Sequence, residues 1–167
     1  MSPRATTLHK RIRVVVLLFI IGLVISGVTA IPLQIEVHQL ASHFGETPTS
    51  VMSQWLSKVD AALTDVARNH QFLFYGTDWL AFGHFMIALV FVGALRDPVR
   101  NKWLFTFGLI ACALVIPYAF IFGTVRGIPM FWRLIDCSFG VIGAIPLFLS
   151  RRYVEELEAT SSQSAVR

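Results

Sequence analysis

Four apolar runs of about twenty residues each, at 14–32, 76–95, 103–122 and 129–149, organise this chain. A helix rises ~1.5 Å per residue and the hydrocarbon core of a bilayer is ~30 Å thick, so runs of this length are predicted to cross a membrane as helices. The first follows the basic stretch Lys10-Arg11-Ile12-Arg13 and contains Val28-Thr29-Ala30, a passable signal-cleavage site. Its apolar stretch exceeds the roughly 7 to 15 residues of a secretory signal, so an uncleaved span is expected. The second run stops at Arg96-Asp97-Pro98, where the proline forbids continuation. The third contains Pro117 and is expected to bend there, and the fourth opens at Pro129 and closes at Ser150-Arg151-Arg152.

Residues 33–75 form a long outer connection with a different pattern. Val51, Trp55, Val59, Leu63 and Val66 recur at helical spacing, with Ser50, Gln54, Ser57, Lys58, Asp60, Thr64, Asp65 and Arg68 opposite them. Thr47-Pro48 supplies a cap and a first-turn proline, so an amphipathic helix is predicted that lies on the outer membrane surface or covers the bundle mouth. Leu33, Val37, Leu40 and Phe44 keep the 3.6 period upstream, which projects the first helix past the bilayer with a bend at Pro32. The polar, Ser-rich stretch 155–167 is expected to be frayed. The predicted fold is an all-α, integral membrane four-helix bundle over 1–152, with the amphipathic helix in its long outer loop and a polar cytoplasmic tail over 153–167.

Composition agrees with this pattern. Of 167 residues 55% are hydrophobic and only 14% charged, and the mean hydropathy is +0.66. A net charge of +4 reflects 14 Lys and Arg against 10 Asp and Glu. Ten of the basic residues, Arg4, Lys10, Arg11, Arg13, Arg96, Arg100, Lys102, Arg151, Arg152 and Arg167, fall at span ends on one side. Lys58, Arg68, Arg126 and Arg133 fall on the other. Excess Lys and Arg mark cytoplasmic loops, so both termini are expected inside, in the inner membrane of a bacterium. The charge thus reports topology and argues against a nucleic-acid partner. The two cysteines, Cys112 and Cys137, lie in different spans without a CxxC pattern, as small apolar residues would.

Candidate chemistry lies inside the spans. Counting helical rise from the outer boundary of each span puts Asp78 roughly 3 Å deep, Arg133 roughly 6 Å, Tyr118 roughly 7 Å, Asp136 roughly 10 Å, and His84 and Ser26 roughly 12 Å. Ionisable groups in hydrocarbon are costly and usually functional. One polar layer in the outer half suits a one-sided pocket better than a conduit. The expected ligand-binding residues are Asp78, His84, Tyr118, Trp132, Arg133 and Asp136. Arg133 would meet an anion or headgroup, Asp136 and His84 would hydrogen-bond or exchange protons, and Tyr118 and Trp132 would form walls.

Each residue also has a structural reading. Arg133 and Asp136 are spaced to form an i, i+3 ion pair, His84 to brace two helices, Asp78 to cap its helix, and Trp79, Trp103 and Trp132 to anchor the interfaces. Gly140, Gly143 and Ala144 share a face of the fourth span suited to close helix contact. His38, His43 and His70 with Glu36 and Glu46 match no metal-site spacing, and no cofactor is indicated. There is no Ser-His-Asp context, glycine-rich phosphate loop or HExxH.

The segments TDWLAFGHF, RDPVRNKW and RGIPMFWRLIDCSFG resemble an uncharacterised family of small bacterial four-helix inner-membrane proteins, over about two fifths of the chain. The resemblance implies a compact four-span fold and no activity. The expected function is binding of a small hydrophobic or amphipathic, lipid-like ligand in the outer-half pocket, with the lipid bilayer as the surrounding partner. The competing classes are an accessory subunit docked on a membrane protein partner through the small-residue face, and an intramembrane enzyme with His84 and Asp136 as acid and base.

Overall fold

A computed structural model describes residues 3–44 and 50–165, with side chains to 160. Among the described residues there are six α-helices, one 3-10 turn and no strand. They are α1 (Pro3–Ala30), α2 (Leu33–Phe44), α3 (Val51–Asn69), α4 (Tyr75–Arg96), α5 (Lys102–Val125) and α6 (Met130–Ala165). α1, α4, α5 and α6 are long and apolar enough to cross a membrane, which makes this a multi-pass membrane protein. A chain in hydrocarbon has no water to satisfy its backbone, and a helix meets that demand within one segment.

The chain forms two compact units, residues 1–22 with 88–167, and residues 23–87. In the first unit, four helices contribute to one apolar core. Leu8, Ile12 and Val16 of α1, Phe91 and Ala94 of α4, Leu104 and Phe105 of α5, and Leu147, Val154 and Leu157 of α6 are all buried in it. α5 and α6 are the most intimate neighbours, through glycines. A Cβ at Gly140 would stand 2.6 Å from the Cys112 carbonyl oxygen, and one at Gly108 would stand 2.8 Å from Leu147 Cδ1. The small-residue face read from the sequence as a docking surface is thus packed on α5 of the same chain.

A short connection after Arg96 joins α4 to α5, while the glycine contacts bring α5 and α6 together. The connection itself is tied down: Asn101 Nδ2 donates to the carbonyls of Gly93 (3.1 Å) and Asp97 (2.9 Å), and Asp97 Oδ1 accepts the Arg100 N–H (3.0 Å). The C-terminal stretch, expected to be frayed, is helical as far as it is described. α6 continues to Ala165 because Val154 and Leu157 reach the core. Glu158 also accepts from Lys102 at 2.7 Å, while Arg151 pairs with Glu155 at 3.2 Å. Pro117 and Pro146 are accommodated inside continuous helices. Each leaves the carbonyl four residues back without its helical partner.

In the second unit, α2 follows a turn at Ile31-Pro32, where the sequence placed the bend. α2 and α3 pack on each other with Val37, Ala41, Ser53 and Leu56 buried. His38 Nδ1 lies 3.1 Å from Asp60 across this pair. The amphipathic helix exists, but its inward stripe is shifted. Val51 is 68% exposed, and the buried line runs through Ser53 and Leu56 toward the His38-paired Asp60. Residues spaced by four drift around a helix by about 40° per step, so Val51 at the start of the expected stripe is off the contact line while Trp55, Val59, Leu63 and Val66 are half-buried. The predicted Thr47-Pro48 cap lies outside the described residues. Ser50 is the N-cap, its Oγ accepting from Ser53 N–H (3.1 Å) while Ser53 Oγ accepts from Ser50 N–H (3.2 Å). This reciprocal box satisfies two donors that the helix start leaves free.

Gly140→Leu should lower the detergent thermal midpoint through overpacking worth about 1 to 3 kcal/mol or more. Gly22→Ala, with open space around its position, should be neutral or slightly stabilising. Leu157→Ala should cost about 2 to 5 kcal/mol in the same unfolding assay, the loss expected of a core leucine and not of a frayed tail.

Candidate functional site

The turn between α5 and α6 is built first from backbone. Ile128 N–H donates to the Gly123 carbonyl at 2.8 Å and Gly127 N–H to Thr124 at 3.2 Å, with Gly127 at φ 66°. This pair of bonds is a Schellman closure, which requires a left-handed residue just past the helix end. Glycine takes that conformation without penalty.

Arg133 then fastens the turn. Its Nε donates to the Ile128 carbonyl at 2.7 Å and its Nη1 to Thr124 Oγ1 at 2.9 Å. The guanidinium therefore ties the start of α6 to the end of α5. Gly123 makes room for it, since a Cβ there would come within 2.8 Å of Arg133 Cδ and Nε. The i, i+3 ion pair read from the sequence is not formed: Arg133 spends its fork on the turn, and Asp136 takes no ion-pair or hydrogen-bond partner among the described residues.

Asp136 lines a cleft instead. About 630 Å³ in volume, it runs along α5 past Ala111, Leu114, Val115, Tyr118, Ala119 and Phe122 to Gly123, Arg126 and Ile128 of the turn. The apolar residues form its length, and Arg126, Tyr118 and Asp136 bring polar groups to it. Tyr118 and Phe122 stack as a tilted pair with centroids 4.4 Å apart. Arg126 is the residue that sequence reasoning missed as a site group. It counted only as a loop charge, although it follows Leu114, Tyr118 and Phe122 of α5 at a spacing of four, as the residue that caps the helix.

The six expected site residues are distributed between the units, with Tyr118, Trp132, Arg133 and Asp136 in the first and Asp78 and His84 in the second. The structure brings Tyr118 and Asp136 to one cleft. Trp132 packs edge-on against Phe131 and lines none of the described cavities. His84 Nδ1 lies 2.8 Å from the Leu80 carbonyl of its own helix. A carbonyl can only accept, so Nδ1 carries the proton. The interhelical brace read from the sequence is therefore a bond to the preceding turn. Asp78 does not cap α4, which begins at Tyr75; it lies in the first turn and borders two cavities of the second unit. Among the described residues no group of three His, Cys, Asp or Glu side chains gathers to hold a metal, and Glu46 lies outside them.

No family model, curated protein or solved structure matches this chain.

Arg133→Met should cost about 1.5 to 3 kcal/mol in detergent unfolding, the range for hydrogen bonds from a charged donor. Asp136→Asn should stay within about 0.5 kcal/mol of wild type. Equal losses in the two variants would restore the ion-pair reading.

Proposed function

We propose that the protein binds an amphipathic, lipid-like molecule in the cleft along α5, within the inner membrane of a bacterium and with both termini cytoplasmic. The observation that carries this reading is the composition of the cleft: an apolar length ending in Arg126, with Asp136 and Tyr118 beside it. A volume of about 630 Å³ falls within the range of roughly 300 to 1,000 Å³ usual for small-molecule sites, and such sites pair apolar walls with a few placed polar groups.

The division of labour follows from the contacts. An acyl or isoprenoid chain would lie along Ala111, Leu114, Val115 and Ala119. An anionic headgroup would meet Arg126 near the turn, where a long basic side chain reaches the interface. Asp136 would accept a hydrogen bond from the ligand. Arg133, expected from the sequence as the headgroup partner, has the different role of holding the turn that carries Arg126. The resemblance to small bacterial inner-membrane proteins and the ten Lys and Arg at one set of span ends support the localisation and orientation.

Native mass spectrometry of the full chain extracted in mild detergent tests the reading. Wild type should retain a lipid-sized adduct that Arg126→Gln weakens and Ala119→Phe, which fills the cleft, removes, with thermal midpoints near wild type. Absence of an adduct, or an adduct indifferent to both substitutions, would overturn it.

A further inference from the structure

The second unit carries a cavity of opposite character. About 540 Å³ in volume, it is lined by Ile31, Pro32, Gln34, Ile35 and Ala67, then by Gln71, Phe72, Phe74, Tyr75 and Asp78. Asp78 also borders a second hollow of about 230 Å³ with Tyr75, Trp79 and Phe82. Both linings contain this carboxylate and neither contains Lys or Arg.

The charges around it are one-sided. Residues 23–87 include two cations, Lys58 and Arg68, against Glu36, Glu46, Asp60, Asp65 and Asp78, a formal balance of +2 − 5 = −3. Asp60 is paired with His38, Asp65 accepts from Asn69 at 2.7 Å, and Lys58 stands over the Trp55 ring. The Asp78 carboxylate has no hydrogen bond or ion pair with any other described residue.

The rings beside it are arranged with their faces turned apart. Tyr75 and Trp79 meet edge-on at 5.9 Å and 86°, and Trp79 and Phe82 at 5.5 Å and 84°. Phe72, Tyr75 and Trp79 are 73%, 63% and 56% exposed. Aromatic faces next to a carboxylate attract a cation whose charge is spread over carbon and hydrogen, because the ring quadrupole and the full negative charge act on it together. A small metal ion is poorly served by one carboxylate and two amides.

We infer that this cavity is a binding site for an organic ammonium group, held by Asp78 against the Tyr75 and Phe72 rings, with Gln34 and Gln71 as hydrogen-bonding partners for what the ammonium is attached to and Trp79, edge-on to Tyr75, as the neighbouring ring that reports it. Two sources share that chemistry: a free alkylamine, or the ammonium head of a zwitterionic phospholipid. The site is independent of the α5 cleft in residues and in the sign of its ligand.

Full-length protein in nanodiscs of phosphatidylglycerol, titrated with tetramethylammonium chloride at constant ionic strength, reads this out through Trp emission. A saturable change is expected that Trp79→Phe removes, that Asp78→Asn weakens at least tenfold and that Asp78→Glu largely restores. Gln71→Glu, which adds a second carboxylate, should tighten it severalfold. Nanodiscs containing phosphatidylethanolamine distinguish the sources: a lost response there identifies the lipid head, and an unchanged one the free amine. A response absent in phosphatidylglycerol, unaltered by Asp78→Asn, or indifferent to Gln71→Glu would overturn the site. A lower thermal midpoint in Asp78→Asn with undiminished binding would likewise leave Asp78 only its favourable place at the positive end of α4.

Discussion

The close approach of α5 and α6 is the constraint on which the first unit depends. Between lipid-facing helices apolar burial gives little drive toward association, because lipid tails are as apolar as leucine; packing of backbones at short range does the work instead. Gly140 lets α6 settle against the Cys112 carbonyl, and Gly108 and Gly123 repeat the device further along α5. With the helices this near, the connection between them must be short and must reverse the chain at once. The left-handed Gly127 meets that demand, and Arg133 can then reach both the Ile128 carbonyl and Thr124.

The position of the cleft follows from the same packing. The open volume lies along α5, bounded by Ala111, Val115 and Ala119, and ends at Gly123 and the turn. Arg133 contributes to this indirectly. A guanidinium engaged with two turn oxygens keeps its charge but is fixed in place at the turn, and Arg126 is the positive group that borders the cleft. Spacing alone makes Arg133 and Asp136 partners; the turn carbonyl offers the planar fork a better-placed acceptor.

The spans were legible because hydropathy over twenty residues is a local quantity. The bend at Pro32 and the existence of α3 were legible for the same reason, since proline chemistry and helical period are carried by neighbours in the chain. What the sequence hid depends on partners far along it. Val154 and Leu157 look like isolated apolar residues in a polar stretch, and only their burial beside Leu8 and Ile12 explains why α6 persists beyond Arg152. The inward line of α3 is set by α2, so Ser53 is buried where Val51 was expected to be. His84 offered a choice of acceptors that spacing does not decide, and its bond to Leu80 is a matter of rotamer.

The two units differ in what holds them. The first has large side chains fully enclosed, among them Phe91, Phe105, Ile12 and Leu147. The second buries Val37 and Leu56 beside small residues such as Ala41, Ser53 and Ala81, encloses no aromatic ring among the described residues, and adds caps, the His38–Asp60 pair and short turns. Surface pairs and caps contribute far less than enclosed aromatic and branched side chains. Stability is therefore unequal along the chain, with sub-global opening expected first in residues 23–87, and segments at the low end of that scale are the ones binding regions are drawn from. An anionic, aromatic-lined cavity in that unit is placed where a ligand's binding energy would have the largest effect on local order.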